Sequence, residues 1–315
     1  MAMPSGGEHL QPPYLAMPGA ADYPPRMLWF GLALGSALFQ VLRNMVMKRL
    51  GHALDETINV WGRFTFILPF AALGVLTHGV PELKPGIWLY CLLFAIAQIV
   101  GTQFLALALH VAEISLVTAL WKLSLLLLVI WGVLALGEAP SALGVAGVVV
   151  SVIGVYLLNV SRARVSFWAP LIALVRDPGQ RYTLGAAFFF APSVIFIKQI
   201  ALLSSPTFAV FSGYVFCSAI ITPFAIYRSG RHFRQIGKHW MSFVALGAFA
   251  AISTWFGTTA YTMTIASYVE AVKQLEIVMA LVIGSLVFGE RARVKLIWPG
   301  CVVMLIGLVL LILGG

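Results

Sequence analysis

Charged side chains are scarce in this chain: Asp, Glu, Lys and Arg make up 10% of its 315 residues, where a soluble domain carries about a quarter. That scarcity excludes an ordinary water-soluble domain. Cysteine is almost absent as well. The three cysteines, Cys91, Cys217 and Cys301, each stand alone inside an apolar run. With no CxxC or Cys/His spacing, neither a disulfide framework nor a zinc site is indicated. The six histidines lie in the N-terminal stretch or near the edges of apolar runs, and HExxH is missing. An intramembrane enzyme would need such a motif, a paired-carboxylate metal site or a positioned nucleophile. No enzymatic activity, metal or cofactor is therefore expected. Nor does the net charge of +9 point to nucleic acid, because the basic residues fall at run ends and in short loops rather than in a folded patch.

What is present is apolar. Hydrophobic residues form 61% of the chain and the mean hydropathy is +0.96. At about 20 residues per crossing, the runs predict about ten transmembrane helices. They fall near residues 27–47, 58–78, 86–108, 111–136, 140–159, 183–203, 206–227, 240–262, 266–288 and 294–313. Continuous runs, rather than short alternating ones, favour an all-α bundle over a β-barrel. Residues 1–25 lack a basic segment and a compact apolar core, so they read as a disordered tail rather than a signal peptide. The expected organisation is a first five-helix repeat over 26–160, a connecting loop over 161–182 and a second repeat over 183–315.

The segment from Ala266 to Phe288 is the anomaly. It is long enough to cross a bilayer yet holds Glu270, Lys273, Gln274 and Glu276. One charge near the bilayer centre costs roughly 2.5–3.5 kcal/mol on insertion scales, so this polar stripe should face a wet interior or pair internally. Laying Gly289-Glu290 over Gly137-Glu138 puts Ser267 on Ser115, Ala271 on Ala119, Lys273 on Trp121, Gln274 on Lys122 and Gly284 on Gly132. The chain thus contains two related halves, each with a polar span in the same place.

Other spans add polar edges. Ser36, Gln40, Arg43 and Asn44 recur at helical spacing; Gln40 lies deep enough to line a cavity, while Arg43 is expected to snorkel to the interface. Trp61 reads as an interfacial anchor and Arg63 as a shallow charge. Span three carries Gln98, Thr102 and Gln103, and span eight carries Thr254, Thr258, Thr259 and Tyr261. Gln98, Gln103 and Tyr261 read as lining, and the threonines as interhelical glue. Small-residue faces at Gly144, Gly147, Ser151 and Gly154, and at Gly300 and Gly307, make spans five and ten scaffold or a homodimer contact. Glu138 and Glu290 read as helix-end contacts outside the site.

Five crossings per half is an odd number, so the second half would enter the membrane from the other side, giving inverted repeats around a midplane site. The loops after spans one, five, seven and nine carry most of the Lys and Arg, among them Arg49, Arg164, Arg231, Arg234, Lys238 and Arg293. The opposite side holds only Arg26 and Lys84. The positive-inside rule then puts both termini outside an inner plasma membrane.

The span with Ser115 and its Gly137-Glu138 ending, repeated by Ala266-Ser267 and Gly289-Glu290, resembles the drug/metabolite transporter superfamily, EamA-domain type. The resemblance implies ten helices in two inverted repeats, a central cavity and alternating-access transport of a small polar metabolite, amino acid or drug. Family members commonly carry a proline near the places held here by Ser124 and Glu276, and neither half has one. The charge count also departs from the family's cytoplasmic termini. In the leading reading, Lys122 and Lys273 hold a carboxylate or phosphate, Glu270 and Glu276 bind an amino group or take up protons, and Trp121, Gln40, Gln98, Gln274 and Tyr261 shape the pocket. The alternatives are internal pairing of Glu270, Lys273 and Glu276, and a lipid-linked-solute flippase or its subunit, whose lipid phosphate would also suit basic midplane residues.

Overall fold

The computed structural model describes residues 25–51, 53–111, 121, 124–138, 140–163, 178–279 and 291–314. Among them the regular structure is helical, with no strand. The first half supplies α1 (Pro25–Gly51), α2 (Glu56–Thr65), α3 (Leu68–His78), α4 (Ile87–Val111), α5 (Ser124–Leu136) and α6 (Ala142–Ala163). The second supplies α7 (Pro178–Leu202), α8 (Pro206–Ser229), a 3₁₀ segment (Gly230–His239), α9 (Trp240–Met263), α10 (Ala266–Lys273) and α11 (Arg291–Gly314). Among the described residues, five stretches are long and apolar enough to cross a membrane: Leu28–Met47, Thr57–His78, Ile87–Leu105, Pro178–Leu202 and Pro206–Met263. The last holds two helices joined by the 3₁₀ segment. The fourth and ninth expected spans are described over part of their length only.

Large apolar side chains lie outside as well as inside. Leu76, Leu134, Met241 and Leu313 are each at least 70% exposed. A water-soluble protein would hide such a surface, whereas a bilayer solvates it. The chain is an integral multi-pass membrane protein.

Two spans are interrupted near their middle. Span two breaks between α2 and α3, where Pro69 falls in the first turn of α3 and has no N–H to continue the ladder. Span nine changes after Lys273 without any proline. There Gln274 N bonds Ala271 O at 3.2 Å, Leu275 N bonds Val272 O at 3.0 Å and Ile277 N bonds Gln274 O at 3.1 Å. These three-residue steps tighten the helix into a 3₁₀ turn before regular helix resumes at Glu276. The missing family proline is thus not required for the irregularity.

The halves pack across each other rather than side by side. Contacts between the halves include α1 with α9, α4 with α7, α8 with α2 and α3, α5 with α10, and α6 with α11. Spans one and eight correspond to spans six and three, and the remaining pairs match a span with its own counterpart. The small-residue faces of spans five and ten meet within the chain. Gly144 lies against Gly314, Gly147 against Leu311 and Gly154 against Met304, so α6 and α11 run antiparallel. Hydrogen bonds tie both ends of the bundle. At one end Lys84 N bonds Leu203 O at 3.0 Å and Ser141 Oγ bonds Gly314 O at 2.5 Å; at the other, Ser229 Oγ donates to Asp55.

A Cβ at Gly307 would meet Ser151 N at 2.4 Å and one at Gly154 would meet Met304 N at the same distance. Backbone cannot swing aside as a side-chain tip can. Gly154→Ala and Gly307→Ala should each destabilise the protein by about 1–3 kcal/mol, read as a lower unfolding midpoint in detergent. Gly31→Ala, whose Cβ meets nothing within 4 Å, should leave that midpoint in place.

Candidate functional site

Between the halves lies a cavity of about 150 Å³. Its walls come from α1 (Gln40, Arg43), α2 (Arg63), α4 (Phe94, Gln98), α5 (Ser124, Leu125), α7 (Phe190, Ser193), α8 (Tyr214), α9 (Thr254, Thr258, Tyr261) and α10 with its following turn (Glu270, Lys273, Gln274, Glu276). The two interrupted spans contribute their breaks: Arg63 stands in the last turn of α2 and Lys273 in the last turn of α10. A cation there complements the exposed carbonyls of a helix C-terminus. This arrangement suits a membrane interior, where irregular backbone is tolerated if it lines a cavity.

Two polar clusters occupy the cavity. In the first, Lys273 Nζ lies 2.5 Å from Glu270 Oε1 and donates to Tyr261 OH at 3.2 Å, while the Tyr261 hydroxyl donates to the same carboxylate. Lys273 also sits 5.6 Å from the centre of the Tyr261 ring. Helical spacing brings Glu270 and Lys273 together, and only packing of α9 on α10 adds Tyr261. In the second, Gln40 Nε2 donates to Glu276, joining the first half to the second. Gln98 Oε1 accepts from Ser193 Oγ at 3.0 Å, a further link between halves. Gln274, 4% exposed, has a side-chain oxygen with no hydrogen-bond partner among the described residues, and the buried Thr258 hydroxyl likewise has none there. Both residues belong to the cavity wall. Aromatic walls complete the site: Trp121 and Phe190 ring centres lie 5.3 Å apart, and those of Phe94 and Tyr214 lie 5.7 Å apart.

Gln40, Gln98, Trp121, Tyr261, Glu270, Lys273, Gln274 and Glu276 all line this one cavity. Lys122 lies outside the described residues, as do Ser115 and Glu290. Gln103, expected as lining, is not in the wall. The expectation that Arg43 snorkels to the interface is corrected: it is 8% exposed and faces the cavity. Its place on the same helix edge as Gln40 is the signal the sequence offers for this. Arg63 too lines the cavity. Thr254 and Thr258 line it as well, whereas Ser36 serves as glue, exchanging bonds with Ser253 across α1 and α9 at 2.8 Å.

Lys198, which sequence reasoning passed over, forms a second buried ion pair away from the cavity. Its Nζ lies 2.5 Å from Glu138 Oε1 and donates to Thr264 O at 2.6 Å. The Glu138 carboxylate also accepts from Ala266 N at 3.3 Å, at the start of α10, where the helix dipole favours an anion. Glu138 is therefore a helix-end contact, and it binds the connection between α5 and α6 to two elements of the second half.

Among curated proteins, no sequence matches this chain. One solved crystal structure superposes on it with a TM-score of 0.70 at 17% sequence identity, covering 90% of this chain and 95% of the other; a likeness at that identity speaks to fold. The sequence model of the EamA-like transporter family matches twice, over residues 27–160 and 178–313. With these two copies spanning most of its length, the chain belongs to the EamA-like transporter family, a group of membrane transporters within the drug/metabolite transporter superfamily.

Proposed function

We propose that this chain is a secondary carrier that moves a small polar metabolite through the central cavity by alternating access, with Glu270 and Glu276 coupling the movement to protons. The observation that carries the reading is the cavity itself, enclosed by both repeats and holding the Glu270–Lys273–Tyr261 and Gln40–Glu276 clusters. Intramembrane ionisable groups gathered at one site mark solute and proton pathways. The antiparallel course of α6 and α11 and the crosswise pairing of the halves support inverted repeats, the architecture by which one site is exposed to either side. At about 150 Å³, the cavity falls below the roughly 300–1,000 Å³ of pockets for drug-sized ligands, which favours a small metabolite over a drug.

Uptake of a pooled metabolite set into proteoliposomes, with and without a pH gradient, tests this reading. Wild type should accumulate some solute along the gradient, and Glu270→Gln and Glu276→Gln should lose the gradient dependence. Lys273→Gln should impair transport by leaving Glu270 without its cation. Variants that fold and transport normally would make the stripe structural.

The positive-inside rule supports a cytoplasmic position for the 3₁₀ segment with Arg231, Arg234 and Lys238 and an outside position for the loop with Glu82. An impermeant thiol reagent should label Glu82→Cys in intact cells and Arg234→Cys only in inverted vesicles. The opposite labelling would reverse the orientation.

A further inference from the structure

The cavity carries cations that its carboxylates do not meet. Lys273 is engaged by Glu270 and Tyr261, but the two arginines are not so held. Arg43 donates to Asn44 Oδ1 from Nε at 3.3 Å and from Nη2 at 3.0 Å. A guanidinium has five N–H donors, and the rest find no acceptor among the described residues. Arg63 rests 5.5 Å from the Phe64 ring centre and makes no side-chain hydrogen bond among the described residues. Ion pairs between described residues join Lys273 to Glu270 and Lys198 to Glu138, and neither guanidinium takes part. Among the described residues, the charged groups that share the cavity wall with Arg43 are Arg63, Lys273, Glu276 and Glu270. Of these, Glu270 is committed to Lys273 and Tyr261, and Glu276 accepts from Gln40.

A buried guanidinium beside another, with no described carboxylate in contact, is unfavourable until an anion joins them. Resting on the carrier reading above, we infer that Arg43 and Arg63 bind the carboxylate of a small organic anion whose apolar body lies against Phe94, Trp121, Phe190 and Tyr214. The planar fork of Arg matches a carboxylate in two parallel bonds. A solute ammonium would enter beside two cations and find both cavity carboxylates already engaged, so a simple acid is preferred to an amino acid. Three described cations (Arg43, Arg63 and Lys273) face two carboxylates (Glu270 and Glu276), an excess that one monoanion neutralises. A phosphate monoester, at about −1.5 to −2, overshoots it.

Thermal unfolding of the full chain in detergent, titrated with phenylacetate, phenylacetamide, phenylalanine or phenyl phosphate, tests the assignment. Phenylacetate should stabilise the protein saturably and bind more tightly than the other three. Arg43→Gln and Arg63→Gln should each weaken phenylacetate binding by about ten- to a hundredfold. Without any probe, both variants should unfold at or above the wild-type temperature, because each removes an unmet buried charge. Variants that unfold below wild type without a probe would make the arginines structural and overturn the inference. So would the absence of saturable stabilisation by phenylacetate, or equal or tighter binding of phenylalanine or phenyl phosphate. The uptake assay separates this inference from the carrier reading. Transport of another solute, indifferent to phenylacetate and to both substitutions, keeps the carrier and removes the anion site; arginine-dependent binding with no solute transported keeps the site and removes the carrier.

Discussion

An ion inside a membrane must be paired, wetted or neutralised, and that constraint organises this molecule. Among the described residues it is met in two ways. Glu270 and Lys273 pair along one helix and share Tyr261, whereas Lys198 and Glu138 pair across halves at the end of the bundle. Each pair is also tied to helix-end chemistry, since Lys273 closes α10 while Glu138 receives the first N–H of that helix. α10 is thereby anchored by charge at both of its ends. Its short length and the 3₁₀ turn that follows set the depth at which Gln274 and Glu276 reach the cavity.

The same element couples the site to the bundle end. Glu138 holds Ala266 N and Lys198, and four residues beyond Ala266 stands Glu270 in the cavity wall. A rearrangement of the Glu138–Lys198 contact therefore acts on the element that carries Glu270. Between the halves, Gln40 with Glu276 and Gln98 with Ser193 form links that cross the cavity region, while the glycine faces of α6 and α11 pack backbone to backbone away from it. Close packing of that kind depends on shape alone and needs no polar group, which is why these two helices are free of buried ions in their described parts.

Arg43 and Arg63 show why burial and charge must be read together. On an isolated span each is close enough to an end to reach the interface along its own stem. In the bundle, both line the cavity. Arg43 follows Gln40 on the face of α1 turned to the other half, and Arg63 ends a half-helix interrupted before Pro69.

Much was decided by sequence alone. Apolar runs of crossing length, the duplicated Gly-Glu endings and the polar stripe from Glu270 to Glu276 determined a helical membrane protein with two related halves and named eight residues of one cavity, because periodicity and bilayer thickness are local properties of the chain. Tertiary structure decided what depends on which helix lies beside which. It set the burial of Arg43, the pairing of Lys198 with Glu138, the arrival of Tyr261 at Glu270, and the double part of Ser253, which bonds Ser36 and also lines the cavity. Those contacts join residues on different helices, and a polar side chain on a helix face carries no sign of whether its neighbour will be lipid, a second helix or an open cavity.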